Sequence, residues 1–91
     1  MAKNTKGKTR DINNPYEIWV NPFAGWEWRV LKHYKSTESE DLDPYARVFT
    51  AVKSPMTWGG YDMGDTYLQE IKANATLAWA EGDDPAEIET W

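Results

Sequence analysis

Residues 26–34 alternate between two sets of side chains, and this alternation limits the fold of the 91-residue chain more than any other feature. One set is Trp26, Trp28, Val30, Lys32 and Tyr34, and the other is Glu27, Arg29, Leu31 and His33. A period of two predicts a β-strand, because successive side chains of a strand point to opposite faces. We therefore predict a strand that buries its tryptophan face and places His33 on its polar face.

Two further strands are predicted beside this one. Residues 16–20 are rich in aromatic and β-branched side chains, and the segment 21–25, with Pro22 and Gly25, separates them from the first strand. This pattern is typical of an antiparallel hairpin with a loop of more than two residues. Residues 45–53 carry apolar side chains on both faces, which favours an interior strand. Residues 35–43 contain one apolar residue, so we expect a surface loop there.

The sequence after residue 55 leaves two possibilities open. Residues 56–64 contain three glycines and predict a loop, after which Asp65 or Thr66 caps a helix, and a closing strand ends near residue 79. In the alternative, 66–79 form two strands, because its odd-numbered residues partly alternate. The predicted fold class is α+β, a small antiparallel sheet of three to four strands with one helix. The alternative is a small all-β barrel.

Charge divides the chain into three parts. Residues 1–10 hold four basic side chains and no acid, residues 81–91 hold five acids and no base, and the whole chain carries −5. We predict a basic flexible arm over 1–13, a single α+β domain over 14–80 and an acidic flexible tail over 81–91. The expected core is Ile18, Val20, Trp28, Val30, Val48, Val52, Leu68, Ile71 and Leu77.

Residue types that support catalysis are scarce in this chain. It has no cysteine, which excludes disulfides, thiolate nucleophiles and metal sites built on cysteine. His33 is the only histidine, and no serine lies in a nucleophile motif. The acids at 62–65 and 81–84 lack the alternating oxygen ligands of a calcium loop. We predict no enzymatic activity, no catalytic residue, no cofactor and no metal.

Aromatic residues are the unusual feature of the composition. Thirteen of the 91 residues are aromatic and six of these are tryptophan, more than a small core is expected to absorb. Exposed aromatic and methionine side chains are typical of protein interfaces. We predict a non-enzymatic binding module that contacts a protein through Trp19, Met56, Trp58, Tyr61 and Met63. Sugar binding is a further hypothesis, which requires aromatic rings that lie parallel on one face of the domain.

Nucleic-acid binding is the alternative function. The residues expected to carry it are Lys3, Lys6, Lys8 and Arg10 of the basic arm, with Arg29 and Arg47 of the domain. Segment 11–80 has a net charge of −4, which disfavours this reading unless a local basic patch forms.

Four segments carry a resemblance: NPYEIW (14–19), WEWRVLK (26–32), ARVFTAVKSP (46–55) and GDTY (64–67). With these segments aligned, the chain resembles small proteins encoded by bacteriophages of mycobacteria and related actinobacteria, over about 14–77. That group has no assigned activity, so the resemblance implies a context and no catalytic residue. It implies a protein made in the cytoplasm of an infected bacterial host, where it binds a host or phage protein. We expect no membrane contact, and a homodimer remains open.

Overall fold

A computed structural model of the chain describes residues 8–56 and 60–83. In chain order the elements are β1 (Glu17–Asn21), β2 (Trp26–His33), α1 (Thr37–Leu42), β3 (Arg47–Lys53), β4 (Asp62–Tyr67), α2 (Leu68–Asn74) and β5 (Thr76–Ala80). The five strands form one open antiparallel sheet in the order β4-β3-β2-β1-β5. The α+β class is therefore confirmed, but the described residues form five strands and two helices where three to four strands and one helix were expected.

The hairpin of β1 and β2 is confirmed, and its turn depends on Gly25. That residue has φ +77°, and a Cβ added there would lie 2.9 Å from Cγ of Pro55. Glycine alone adopts this conformation without strain and leaves room for the proline ring. Within the turn, the Asn21 side-chain oxygen accepts a hydrogen bond from the backbone N–H of Ala24 at 3.1 Å.

One side of the sheet, here called the helix side, packs against α2. Leu68 and Ile71 of α2 are buried against Trp28 and Val30 of β2 and Val48 of β3. Pairing extends this side to β1, because Trp19 of β1 pairs with Trp28. Side chains between these positions project from the opposite side of the sheet, here called the open side.

A bulge in β2 changes the predicted alternation. Val30 pairs with Thr50 and Lys32 with Phe49, which leaves Leu31 as an extra residue in the strand. An extra residue inverts the pleat from that point onward. His33 therefore pairs with Val48 and lies buried on the helix side, 4 % exposed. The prediction that His33 occupies a polar face was wrong for this reason.

Three secondary-structure expectations need correction. The polar segment 35–43 contains the short helix α1, which Ser36 caps by accepting a hydrogen bond from the Ser39 N–H at 3.3 Å. Residues 62–67 form the strand β4 where a loop and a helix cap were expected, and Thr66 bonds across to Thr50 instead of capping. The all-β barrel is also wrong, because the sheet is open and α2 precedes β5.

Most of the predicted core is confirmed. Six of the nine positions are buried: Ile18, Trp28, Val30, Val48, Leu68 and Ile71. Val20 and Val52 are half-buried, and Leu77 is 45 % exposed. Leu77 pairs with Trp19 and so lies on the helix side, but β5 is an edge strand and leaves this side chain exposed. The assignment of Leu77 to the core was therefore wrong.

Candidate functional site

Among residues 8–56 and 60–83, the segments that lie over the open side of the sheet cover one half of it. Residues 8–16 run beside β1 and β2, where the Arg10 N–H donates to the Leu31 carbonyl at 2.8 Å and the Arg29 guanidinium donates to the Ile12 carbonyl. Ile18 and Trp79, which project from this side, are buried. The other half, over β2, β3 and β4, remains accessible.

We name this accessible half the tyrosine–cation surface. It consists of Arg29 and Lys32 on β2, Tyr34 after it, Arg47 and Lys53 on β3, Tyr61 before β4, and Met63 and Tyr67 on β4. The pairings place these side chains together, since Met63 pairs with Ala51, which pairs with Arg29. Tyr34, Tyr67 and Met63 are 49 %, 47 % and 56 % exposed.

Two acids on this surface are already engaged within the protein. The Tyr34 hydroxyl donates to Asp65 at 2.6 Å, and this hydrogen bond raises the pKa of Tyr34. Glu27 forms an ion pair with Arg29 and accepts a hydrogen bond from the Tyr61 hydroxyl at 2.7 Å. The surface therefore holds four cationic groups against two carboxylates.

Cationic groups also lie against the tyrosine rings. The Tyr61 ring centroid lies 5.4 Å from the Arg29 guanidinium carbon and 5.8 Å from the Lys53 ammonium. Burial, followed by the hydrogen bond to Glu27 and its negative charge, raises the pKa of Tyr61 to about 12. Tyr61 thus stays a neutral donor at physiological pH, and its ring helps to hold both cations in place.

The helix side has the opposite charge. Glu17, Glu40, Asp62 and Glu70 lie on its strands or on the helices that cover it. Lys72 of α2 is the lysine that the described residues place on this side, and it forms an ion pair with Asp41 at 2.7 Å. The chain therefore separates its charges, with the basic groups concentrated on the open side.

The residues predicted for protein binding do not all lie together. Tyr61 and Met63 belong to the tyrosine–cation surface, and Met56 is 87 % exposed in the turn after β3. Trp19 lies on the helix side, where its indole N–H donates to Glu17 at 2.8 Å. Trp58 lies outside the described residues.

The residues predicted for nucleic-acid binding are also divided. Arg47 is exposed on the tyrosine–cation surface, whereas Arg29 is held there by Glu27 and the Ile12 carbonyl. Arg10 pairs with Glu81 at 2.6 Å and lies 3.9 Å above the Tyr16 ring. Lys8 is exposed, and Lys3 and Lys6 lie outside the described residues.

Four members of this surface, Lys32, Tyr34, Lys53 and Tyr67, escaped the sequence-based site prediction. Tyr67 was assigned to a helix, and Tyr34 and Lys32 to the face of Trp28. Recognising 62–67 as a strand would have grouped Tyr61, Met63 and Tyr67 by their period of two. No sequence signal marks the bulge that moves Lys32 and Tyr34 to the open side.

Comparison with known proteins gives no indication of what this chain does. No family model, curated protein or solved structure matches this chain.

A second group of ionisable residues lies on the helix side. The His33 Nδ1 atom lies 2.7 and 2.9 Å from the two carboxylate oxygens of Glu40, and its Nε2 lies 3.2 Å from Glu17. Glu40 is 1 % exposed. Burial alone lowers the pKa of His33. The hydrogen bonds to Glu17 and Glu40, together with the negative charges of these two side chains, outweigh this effect and raise the pKa of His33 above 6.5.

The geometry of His33, Glu17 and Glu40 indicates a structural role for this cluster. Both ring nitrogens of His33 face carboxylates within the fold, and the Nε2 atom is buried. Among residues 8–56 and 60–83, no group of three or more His, Asp or Glu side chains is arranged to hold a metal ion. Neither helix in this part of the chain has the length and apolar character needed to cross a membrane.

Proposed function

We propose that this protein is a non-enzymatic binding module that contacts an acidic region of another protein through the tyrosine–cation surface. The observation that carries the proposal is the exposure of tyrosine, methionine and basic side chains together on the accessible half of the open side. Tyrosine, methionine and arginine are enriched at protein interfaces, and tyrosine and arginine are frequent hot spots. The surplus of positive charge selects an acidic partner.

The edge of the sheet supports the same proposal. In the described chain, β4 pairs with β3 alone, so its outer edge presents backbone N–H and C=O groups. An extended segment of a partner can add to such an edge, where main-chain hydrogen bonds supply affinity. Met63 and Tyr67 project from this strand beside that edge and would contact side chains of the added segment.

Single-stranded nucleic acid is the second candidate for the same surface. Tyrosine rings among basic residues on an open sheet are typical of surfaces on which bases stack. The net charge of −5 disfavours both candidates, because each ligand is acidic and its attraction depends on the field of the whole protein. The open edge of β4 favours a protein, because an extended peptide can pair with its backbone groups and a nucleic acid cannot. We therefore place it after protein binding.

The deciding experiment compares two double variants of equal net charge. Arg47→Gln with Lys53→Gln removes two cations from the surface, and Lys35→Gln with Lys72→Gln removes two from elsewhere. The tagged proteins are used to capture partners from a mycobacterial lysate, with and without nuclease, and the captured proteins are quantified by mass spectrometry. We expect a nuclease-resistant protein partner that the surface double variant loses and the control retains.

Two outcomes contradict the proposal. Equal loss in both double variants would show that net charge, not this surface, governs capture. The second outcome is that nuclease abolishes capture and that the protein binds oligothymidylate with an affinity that falls steeply with salt. This result would show that the surface binds nucleic acid instead. The proposal places this binding in the cytoplasm of an infected bacterium.

A further inference from the structure

A groove opens on the helix side, away from the tyrosine–cation surface. It lies between the end of the β1–β2 hairpin and α2, and its volume is about 370 Å³. Trp26, Trp28 and Val52 form its apolar wall, and Asn21, Glu70 and Asn74 supply polar groups. This volume lies within the usual range of small-ligand sites, about 300–1,000 Å³.

Two tryptophans give the groove a flat aromatic wall. The rings of Trp26 and Trp28 are stacked, with centroids 5.7 Å apart and planes inclined by 21°. Trp28 is 7 % exposed and fixed in the core by α2, whereas Trp26 is 39 % exposed. The inner ring therefore holds the outer ring in one orientation, and the outer ring remains accessible to a ligand.

The polar groups of the groove retain unused hydrogen-bonding capacity. The Asn21 oxygen accepts a hydrogen bond within the turn, which leaves its NH₂ group as a donor. The Asn74 NH₂ group donates to the Glu70 carbonyl at 2.9 Å, which leaves its side-chain oxygen as an acceptor. The Glu70 carboxylate has no partner among the described residues. A donor and two acceptors thus surround an aromatic plane.

We propose that this groove binds a pyranose sugar, with the C–H face of the ring against Trp26. A pyranose has an apolar face of C–H groups and a rim of hydroxyls that both donate and accept. Its hydroxyls would accept from the Asn21 amide and donate to Asn74 and to the Glu70 carboxylate. A carboxylate acceptor forms stronger hydrogen bonds than a neutral one.

Other ligand classes use this chemistry less completely. A purely apolar side chain would leave the polar groups of the groove without hydrogen-bond partners once it buried them, which is unfavourable. An organic cation such as choline would use the ring and the carboxylate, but its quaternary ammonium group forms no hydrogen bond with Asn21 or Asn74. A pyranose satisfies the aromatic wall, the donor and both acceptors together.

Ligand-observed NMR tests the proposal directly. Saturation transfer from the full-length protein is measured to methyl glycosides of glucose, mannose and galactose, with choline as the cationic probe. We expect saturable transfer to at least one glycoside, strongest at its C–H face protons, with millimolar affinity. Trp26→Ala should abolish it, and Glu70→Gln should weaken binding about tenfold, equivalent to one strong hydrogen bond.

Matched variants separate the groove from general effects. Glu38→Gln removes an exposed carboxylate from α1, and Tyr67→Ala removes an aromatic ring from the open side, so both should bind the glycoside as the parent does. Thermal melts establish that Trp26→Ala is folded, and Trp26→Phe, which keeps a flat ring, should retain partial binding. The groove variants should leave capture of the protein partner unchanged.

Three results would overturn the assignment of a sugar site. They are the absence of saturable transfer to any of the three glycosides, binding of choline without binding of a glycoside, and glycoside binding that survives Trp26→Ala.

Discussion

Protonation of His33 should couple the stability of the fold to pH in a direction fixed by its neighbours. His33 is the only histidine, and it lies between Glu17 and Glu40, whose charges raise its pKa above 6.5. Lys72 and Asp41 border the same cavity but pair with each other at 2.7 Å. The folded protein therefore binds the imidazole proton more tightly than the unfolded chain does.

The sign and size of the effect follow from this difference. The stabilisation is fully present below pH 6.5 and is lost as the pH rises through the higher pKa of the folded state. Because one proton is involved, the free energy of unfolding should fall by at most about 1.4 kcal/mol per pH unit within that window.

Glu40→Gln is the perturbation that isolates the cluster. It keeps the size of the side chain and removes the buried carboxylate that meets His33 Nδ1 at 2.7 Å. A hydrogen bond to a charged group contributes about 1.5–3 kcal/mol, so we expect a loss of this order near pH 6. The loss should shrink as the pH rises, because the parent protein then also loses its imidazolium.

Urea denaturation between pH 5.5 and 9, together with NMR titration of the single imidazole ring, measures both quantities. Glu38→Gln, on the exposed side of the same helix, is the control and should reproduce the parent's pH profile. The reasoning is refuted by an imidazole pKa at or below 6.5 in the folded protein. An unchanged imidazole pKa in Glu40→Gln would refute it equally.

Two further predictions concern packing. Thr50→Val should lower the free energy of unfolding by about 1–2 kcal/mol in urea titrations, because the buried Thr50 hydroxyl bonds Thr66 at 2.8 Å and the Gly64 carbonyl at 3.0 Å. Gly25→Ala should lower it by about 1 kcal/mol or more, since φ is +77° and the new Cβ would meet Pro55 at 2.9 Å. An unchanged urea midpoint in either variant contradicts the corresponding contact.

The periodicity of the sequence predicted the buried residues correctly wherever a strand or helix buries one regular stripe of side chains. Trp28 and Val30 in β2, Val48 in β3 and Ile71 in α2 were all placed correctly, because their spacing follows the pleat or the helical turn. The hairpin followed from the composition of its turn. These features depend on local sequence and needed no knowledge of distant partners.

The elements that were predicted wrongly depend on contacts with residues far away in the sequence. Helix α1 exposes Leu42 and buries Glu40, so its sequence lacks the apolar stripe that is typical of a packed helix. Its buried contact is an ion pair with His33 of β2, which no local pattern reveals. Likewise β4 contains Gly64, a residue depleted in strands, and it forms because β3 offers a pairing edge.

The bulge at Leu31 connects the two chemical features of the molecule. Without that extra residue, the alternation of β2 would send Lys32 and Tyr34 toward α2 and turn His33 to the open side. The sheet would then lose two members of the tyrosine–cation surface, and Glu40 would be buried without its imidazole partner. One extra residue in a strand therefore sets both where the cations lie and what holds α1 to the sheet.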